Sequence, residues 1–352
     1  MPKITRMLAQ PNLNQGPAPT MVTSDRRSPN FLTTRTSAMR RAVVGVDGGG
    51  TKTEAVILDA RNQVLGQGVA GPSNPLRIGI TNAAAAVREA IDKACAAAHV
   101  RREDIVAAQI GLAGARRYEL SLRMREALGN LGIADVEVGG DADIALAGVT
   151  ANGGPGVVVI AGTGSVCCGV NARGKRVWAG GWGPIAGDEG GGAWIARRAL
   201  RAIAHASDGR GPKTTLMSAA CNYFHVTTPD DLSTAIYAPT ITNERLAGFG
   251  KNVVDAAKAK DAVAREILAE GAQELGLMVA AVIRNLRLEG EKFQVGYVGG
   301  VFNAAGELIL APMREDLKQV APNAFLAQPV ATPAVAAARM ARARANHIAM
   351  AV

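Results

Sequence analysis

Two glycine-rich turns carry the groups best suited to binding a chain of phosphates. The first is Asp47-Gly-Gly-Gly-Thr-Lys52 and the second is Gly162-Thr-Gly-Ser165. Glycines let consecutive backbone amides face an anion without interference from Cβ atoms, and the threonine hydroxyls and the lysine add further donors. The residues after Lys52 continue as a strand, so the first turn is not a Walker A loop. Because each turn joins two predicted strands, the two hairpins together could hold a triphosphate from both sides.

An aspartate at the end of a strand is the candidate catalytic group. Asp141 follows a short predicted strand, 136–138, and precedes a predicted helix, 142–149. A carboxylate at this position points into the cleft at the strand ends, where it can accept the proton of a hydroxyl nucleophile. The alternative is that Asp141 or Asp143 caps the helix, since aspartate is common there. We favour Asp141 as the cleft residue and Asp143 as the acid that starts the helix.

A longer glycine-rich segment, 180–192, has a composition suited to a polyhydroxylated ligand. It carries Trp182, Asp188 and Glu189 among its glycines. Glycines admit close approach of a ligand to the backbone, an aromatic face can stack on a sugar ring, and carboxylates accept hydrogen bonds from hydroxyls. A flexible linker is the alternative, but the tryptophan and a proline within the segment argue against it. The segment therefore predicts a sugar-binding loop.

The net charge of +9 lies at the two ends of the chain rather than over its body. Residues 1–41 contribute +6 and those after Asp316 contribute +4, whereas residues 42–316 hold 28 basic and 29 acidic residues. Binding to nucleic acid needs a clustered basic face, which this distribution does not predict. No apolar run reaches the roughly 18 residues that cross a bilayer. We expect a cytoplasmic protein with no nucleic-acid partner and no membrane partner.

The elements that position these residues fall into two similar halves, as about two domains would be expected for 352 residues. Residues 1–40 lack periodicity and contain many breakers, so they predict a disordered leader. Residues 41–155 predict three strands followed by alternating helices and strands, with the first helix beginning near Asn82. Residues 156–346 begin again with three strands and continue with long helices and one late strand. The pattern indicates an α/β structure that is duplicated although the sequence is not.

These motifs together resemble one known ATPase family. It contains the N-acetylglucosamine kinases and the activators of benzoyl-CoA reductase and 2-hydroxyacyl-CoA dehydratase. The resemblance rests on Asp47 to Thr51, Asp141, Gly162 to Ser165, Gly181 to Gly183, Gly187 to Gly190 and Val298 to Val301. It implies duplicated ribonuclease-H-like (actin-like ATPase) domains with an interdomain cleft that binds ATP. The implied reaction phosphorylates the 6-hydroxyl of N-acetylglucosamine or a close relative, such as glucosamine or N-acetylmuramic acid.

The resemblance also implies roles for individual residues. Asp141 would be the base and Asp47 would hold Mg²⁺, through water, since that ion keeps much of its hydration shell. The residues implied for ATP are Gly49, Gly50, Thr51, Lys52, Gly162, Thr163, Gly164, Gly248, Gly299 and Gly300. The residues implied for the amino sugar are Asn74, Asp141, Ser165, Gly181, Trp182, Gly183 and Asp188. A homodimer is a further expectation.

The acceptor sugar and one alternative function stay open at this stage. The animal members among the N-acetylglucosamine kinases of this family have a Ser-Gly-Gly-Asp loop for the sugar. This chain has Ala113-Gly-Ala-Arg116 in its place, which removes two polar partners for the sugar. The alternative is an ATP-driven activator of an electron-transfer partner, whose relatives hold a [4Fe-4S] cluster between two subunits near a Cys-Ala-Ala-Gly turn. Here Cys95 is followed by three alanines in a predicted helix. A sugar sensor without turnover is a third hypothesis, against which the presence of Asp141 argues.

Overall fold

Two five-stranded sheets form the framework of the computed structural model, which describes residues 42–150 and 153–351. The expected leader lies outside the described residues. The strands are β1 (Ala42–Gly48), β2 (Thr53–Leu58), β3 (Val64–Ala70), β4 (Ile105–Leu112), β5 (Asp135–Gly140), β6 (Gly156–Ala161), β7 (Ser165–Val170), β8 (Arg176–Gly180), β9 (Gln294–Val298) and β10 (Phe325–Ala327).

Both sheets have the same topology. The strand orders are β3-β2-β1-β4-β5 and β10-β9-β6-β7-β8. In each half three antiparallel strands come first, and two later strands then join parallel to the first of the three. The carboxyl ends of the parallel strands meet at one edge of each sheet, and in open α/β sheets ligands bind at that edge. The duplicated α/β architecture expected from the sequence is therefore present.

Helices pack against these sheets and are more numerous in the second half. They are α1 (Pro75–Ala98), α2 (Tyr118–Ala127), α3 (Asp141–Val149), α4 (Gly192–Ser207), α5 (Leu216–Phe224), α6 (Pro229–Ala235), α7 (Asn243–Lys258), α8 (Ala262–Leu286), α9 (Gly300–Ala305), α10 (Glu307–Val320) and α11 (Pro333–Ala351). A separate hydrophobic core lies within each half. Among the helices of the described residues, none combines the length and apolar character that a membrane span requires.

Helix α1 begins at Pro75 rather than at the predicted Asn82. The Asn74 side chain accepts a hydrogen bond from the Leu76 amide at 3.0 Å, so Asn74 is an N-cap. Gly79 interrupts the helix with a φ of 79°. The alanine periodicity that predicts the helix starts only after this interruption, which explains the difference. The capped turn before Gly79 is a distinct segment of the first half.

The C-terminal helix α11 packs against the first sheet although it follows the second. Ala334, Ala338 and Ala341 contact the apolar side chains of β1, β2 and β4. The helix approaches so closely that a Cβ at Gly45 would lie 2.1 Å from the Ala338 amide nitrogen. The predicted boundary between residues 155 and 156 thus falls between the two sheets, while the last helix returns across it.

Arg344 fixes α11 to the first sheet through three hydrogen bonds. Its guanidinium donates to Asp135 Oδ2 at 2.6 Å, to Gln109 Oε1 at 2.7 Å and to the Ala108 carbonyl at 2.7 Å. Arg344→Met should lower the free energy of unfolding by about 1–3 kcal/mol, because Gln109 is buried and would lose its partner. Urea unfolding measures this change. Arg339→Met on the same helix is the matched control, and an equal loss in both variants would contradict the prediction.

Candidate active site

The glycine-rich turns 47–52 and 162–165 are called the first and second phosphate turns after their predicted role. The first connects β1 to β2 and is held by neighbouring segments. The Gly49 amide donates to the Lys52 carbonyl at 2.9 Å, which closes the turn. The Ser73 amide donates to the Gly49 carbonyl at 3.0 Å, and the Ala113 amide donates to the Gly48 carbonyl at 2.8 Å. The turn, the residue before Asn74 and the loop after β4 therefore form one unit.

Asp47 and Asp141 lie near each other at the carboxyl edge of the first sheet. In the strand register Asp47 is level with Gly111 on β4, which is level with Gly139 on β5. Asp141 follows β5 as the first residue of α3, and Gly140 is the N-cap. Burial, with a smaller contribution from the Asp141 carboxylate, raises the pKa of Asp47 to about 7. Burial also raises the pKa of Asp141 to about 6.

Asp143, the third residue of α3, is engaged with the N-cap residue and with an arginine, so neither aspartate is itself the N-cap. Its Oδ2 accepts a hydrogen bond from the Gly140 amide at 3.2 Å, and its Oδ1 forms an ion pair with Arg176 Nη1 at 3.0 Å. The Asp141 carboxylate, in contrast, accepts a hydrogen bond from the adjacent Ala142 amide at 2.9 Å and has no cationic side chain as a close partner within the described part of the chain. Of the two acids, Asp141 is the one available to a ligand.

The donor set at this edge fits Mg²⁺. Asp47 and Asp141 repel each other in a poorly solvated place, and a divalent cation would relieve that repulsion. The described residues contain no cluster of three or more histidine, cysteine, aspartate or glutamate side chains suited to a metal ion. Mg²⁺ is commonly held by one or two carboxylates with water and substrate phosphates, so it does not need such a cluster. Asp47 is the residue that would hold the ion, and the ion would neutralise phosphate charge.

Asp47→Asn should stabilise the metal-free protein at pH 8 by on the order of 2 kcal/mol and change its stability little at pH 4. In the native protein the raised pKa of Asp47 means that the protonated form favours folding. This contribution is complete below about pH 4 and is lost as the pH rises through about 7. Thermal unfolding without and with Mg²⁺ measures it. Equal stabilisation by Mg²⁺ of both proteins would contradict the assignment of Asp47.

The second phosphate turn connects β6 to β7 and rests on the start of α4. The Gly192 and Ala193 amides donate to the carbonyls of Gly162 and Thr163, at 2.8 and 3.0 Å. A Cβ at Gly164 would lie 2.5 Å from the Asp188 carboxylate, so this carboxylate is pressed against the turn. The turn thereby links the predicted phosphate contacts to the predicted sugar loop.

Asp188 has the environment of a site residue. It is 7% exposed and has a φ of 63°, a left-handed conformation that is uncommon outside glycine. Burial raises the pKa of its carboxyl, while a hydrogen bond from the Ser165 amide and the charges of Arg77 and Arg197 oppose that shift. The Ser165 hydroxyl donates to the Glu189 carbonyl at 2.6 Å and is buried. The Ser165 hydroxyl therefore stabilises the loop at Glu189, and its proton is not available for a hydrogen bond to a ligand in the cleft.

The first part of the predicted sugar loop, residues 181–186, is largely exposed to solvent. Gly181 and Gly183 have φ values of 71° and 85°, and this turn carries Trp182 outward with 77% of its surface exposed. Ile185, on the same loop, is fully exposed. Across the cleft, Asn74 lies beside the loop after β4, since a Cβ at Gly114 would be 2.9 Å from Asn74 Oδ1. A large, exposed aromatic side chain is thus available to cover a ligand.

The residues predicted to lie beside the nucleoside come from neighbouring helices of the second half. Gly248 is exposed on α7, next to Tyr223. Gly299 and Gly300 follow β9 at the start of α9, and α9 packs beside α7. Gly299 also lies against Ala161, the last residue of β6 before the second phosphate turn. These residues therefore surround one region next to that turn.

Two residues beside the first phosphate turn, Arg77 and Glu244, lie outside the sequence motifs, and Arg116 has a partner that the sequence does not indicate. Arg77 and Glu244 form an ion pair beside the first phosphate turn. Arg116 follows the loop after β4 and lies over the ring of Trp178, 6.0 Å from its centroid. Single charged residues outside glycine-rich motifs carry no signal of their own. Only the position of Arg77, three residues after Asn74, could have drawn attention to it.

Cys95 is not arranged as a cluster ligand shared between subunits. It lies in the last turn of α1 and is 7% exposed within the first hydrophobic core. Burial raises the pKa of its thiol, which favours the protonated form over the thiolate that binds iron. The structure therefore gives no support to the activator alternative.

Comparisons with known proteins identify the family of this chain. The BadF/BadG/BcrA/BcrD ATPase family matches residues 44–339. An N-acetylmuramic acid/N-acetylglucosamine kinase from Clostridium acetobutylicum is 35% identical over 262 residues, which cover 74% of this chain and 85% of that relative. An N-acetyl-D-glucosamine kinase from Dictyostelium discoideum is 30% identical over 311 residues, which cover 85% and 97%.

A solved structure from Chromobacterium violaceum has a TM-score of 0.73 at 24% identity, covering 85% of this chain and 98% of that one. This likeness confirms the expected fold of two duplicated actin-like domains. The family match extends over both sheets and over all the predicted site residues. The chain therefore belongs to the BadF/BadG/BcrA/BcrD ATPase family.

Proposed function

We propose that this protein is an ATP-dependent kinase that phosphorylates the 6-hydroxyl of N-acetylglucosamine or of a close relative, such as glucosamine or N-acetylmuramic acid. The observation that carries the proposal is the position of the Asp141 carboxylate. Asp141 directly follows β5, lies near Asp47 of β1, and forms no ion pair within the described residues. The names of the two relatives support the acceptor class. A carboxylate without such a task would not be expected in this poorly solvated position.

Asp141 acts as the general base in this reaction. Its carboxylate accepts the proton of the sugar 6-hydroxyl as the oxygen attacks the terminal phosphorus of ATP, and ADP leaves from the opposite side. Asp47 would hold Mg²⁺, which would supply neutralisation of phosphate charge. The amides of the two turns contact the phosphate oxygens. The turns therefore orient the donor, and Asp141 activates the acceptor.

The acceptor is bound between the two halves by Asn74 and Asp188, with Trp182 covering one face of the sugar ring. Asp188 accepts hydrogen bonds from sugar hydroxyls. Because its carboxylate lies against Gly164, sugar binding at Asp188 is coupled to the second phosphate turn. The loop after β4 has few polar side chains before Arg116. A loop so poor in hydrogen-bonding side chains is expected to discriminate little among the three amino sugars.

Release of ADP, measured with each candidate sugar, tests the function. We expect turnover with at least one of N-acetylglucosamine, glucosamine and N-acetylmuramic acid, and weaker turnover with glucose. The 6-deoxy analogue of the preferred sugar should bind and inhibit without being phosphorylated. Turnover of that analogue would refute the 6-hydroxyl assignment. ATP hydrolysis that no sugar stimulates, in a protein purified with iron, would favour an activator instead.

Trp182→Ala should raise the KM for the sugar about three- to tenfold, because stacking of an aromatic ring contributes roughly 0.5–1.5 kcal/mol. The free energy of unfolding should not change, since the side chain is 77% exposed. Initial rates at varied sugar concentration measure the effect. Ile185→Ala is the matched control on the same loop, and an equal KM change in both variants would count against stacking by Trp182.

A further inference from the structure

Arg77 connects the two halves of the molecule across the cleft. It lies in the first turn of α1, three residues after Asn74, and its guanidinium forms an ion pair with Glu244 at the start of α7. The side chains of Arg77 and Glu244 are 26% and 25% exposed, so the pair is partly shielded from bulk solvent. The ion pair therefore lies where the two halves of the molecule meet.

The neighbours of this ion pair belong to both the donor side and the acceptor side. A Cβ at Gly50 would lie 3.0 Å from Glu244 Oε1 and 3.6 Å from Arg77 Nη1, so the pair lies against the first phosphate turn. Burial lowers the pKa of the Arg77 guanidinium, and the charge of Asp188 opposes that shift. Arg77 is therefore near both the phosphate turn at Gly50 and Asp188, one of the residues proposed to bind the sugar.

Two further basic side chains near the turns have partners within the same half of the molecule. Lys52 forms an ion pair with Glu54 at 2.9 Å and is 61% exposed. Arg197 donates to Asn243 Oδ1 at 3.4 Å. Arg77 alone among these three bridges the two halves, and its partner comes from the opposite side of the cleft. Of these three cations, Arg77 is therefore the best placed to contact a phosphoryl group that moves from ATP to the sugar.

Resting on the proposed function, we propose that the Arg77 guanidinium contacts the phosphoryl group in transfer and that Glu244 holds this guanidinium until the triphosphate binds. A guanidinium binds two phosphate oxygens at once, with charge-assisted hydrogen bonds. A partly exposed ion pair contributes about 1 kcal/mol or less, so a doubly charged terminal phosphate can replace Glu244 as the partner.

The exchange of partners serves the transfer step. The bond between the sugar O6 and phosphorus forms, the bond between phosphorus and the oxygen of ADP breaks, and the hydroxyl proton moves to Asp141. Negative charge spreads over the three remaining oxygens of the phosphoryl group, and Arg77 neutralises part of it. Glu244 keeps the guanidinium in position before this charge arrives.

Arg77→Met and Glu244→Gln test the proposal in opposite directions. Arg77→Met should lower kcat about 10²- to 10³-fold, the effect of removing one preorganised donor from a transition state. It should abolish the additional thermal stabilisation that a non-hydrolysable ATP analogue gives over ADP, while ADP binding changes less than threefold. Glu244→Gln should tighten binding of the ATP analogue about two- to fivefold, because the competing carboxylate is gone. Arg245→Met, an exposed residue next to Glu244, is the matched control.

A purely structural role for the ion pair would give a different set of results. If Arg77→Met and Glu244→Gln weaken ADP and the ATP analogue alike and destabilise the protein equally, the pair is a structural contact between the halves and the proposal is wrong. If no sugar stimulates ADP release in the native protein, the proposed function fails. The preference for the ATP analogue over ADP can still be measured in that case, and its survival in Arg77→Met refutes the contact independently.

Discussion

Asp141→Asn should lower kcat about 10²- to 10⁴-fold and leave the protein folded, because the variant loses the proton acceptor but keeps the size of the side chain. The Ala142 amide can still donate to the remaining side-chain oxygen, so the start of α3 should persist. A coupled assay of ADP release measures the rate, and circular dichroism checks the fold. Sugar binding should remain measurable by calorimetry, since the amide side chain can still form a hydrogen bond with the sugar hydroxyl.

Asp143→Asn is the matched control for this variant. It lies two residues further along α3 and carries the same change of charge, but it contacts Arg176 and the Gly140 amide. Its kcat should fall only a few-fold. Equal losses in the two variants would mean that the charge at the start of α3 matters and that Asp141 is not the base. Unchanged turnover in Asp141→Asn would exclude it as the base.

The pH dependence of the native protein provides a second measure of the same residue. The pKa of Asp141 is raised to about 6 by burial, so the carboxylate that accepts the proton is present above this pH and is lost below it. The value of kcat/KM should therefore rise with pH through about 6. Bound Mg²⁺ moves the midpoint to lower pH without changing its direction. The residual activity of Asp141→Asn should lack this step.

Gly164→Ala should have the second large effect, through Asp188. The added Cβ would lie 2.5 Å from two atoms of the Asp188 carboxyl group, so the carboxylate must move away from the second phosphate turn. We expect the KM for the sugar to rise at least about tenfold and the free energy of unfolding to fall by about 1–3 kcal/mol, as in other overpacked sites. Initial rates at varied sugar concentration and urea unfolding measure the two effects.

Gly162→Ala is the control for the stability part of this prediction. A Cβ at Gly162 has no atom within 4 Å, and its φ is not in the left-handed region. The free energy of unfolding should therefore stay the same in this variant, although it lies in the same turn. If Gly164→Ala were as stable as the native protein and bound sugar equally well, Asp188 would not be held against the turn.

Local sequence patterns predicted much of the fold and identified the turns and the acid that are proposed to form the site. The strand segments have strongly apolar or alternating patterns, and the helix 262–286 has a clear period, so each could be recognised without the rest of the chain. Asp141 could be recognised because the strand before it and the helix after it are both visible locally. The start of α1 was missed because its cap at Asn74 and the interruption at Gly79 lie outside the alanine repeat.

The sequence by itself determined the elements, the two phosphate turns and the acid at the end of β5, because these depend on residues that are neighbours in the chain. Only the tertiary structure decided that α11 returns to the first sheet, that Asp188 lies against Gly164, and that Arg77 meets Glu244 across the cleft. These contacts join residues far apart in the chain, and their energies depend on burial and distance, which no local pattern encodes. The glycines marked the proposed ligand sites, and the packing between the halves decided which charged side chains lie beside them.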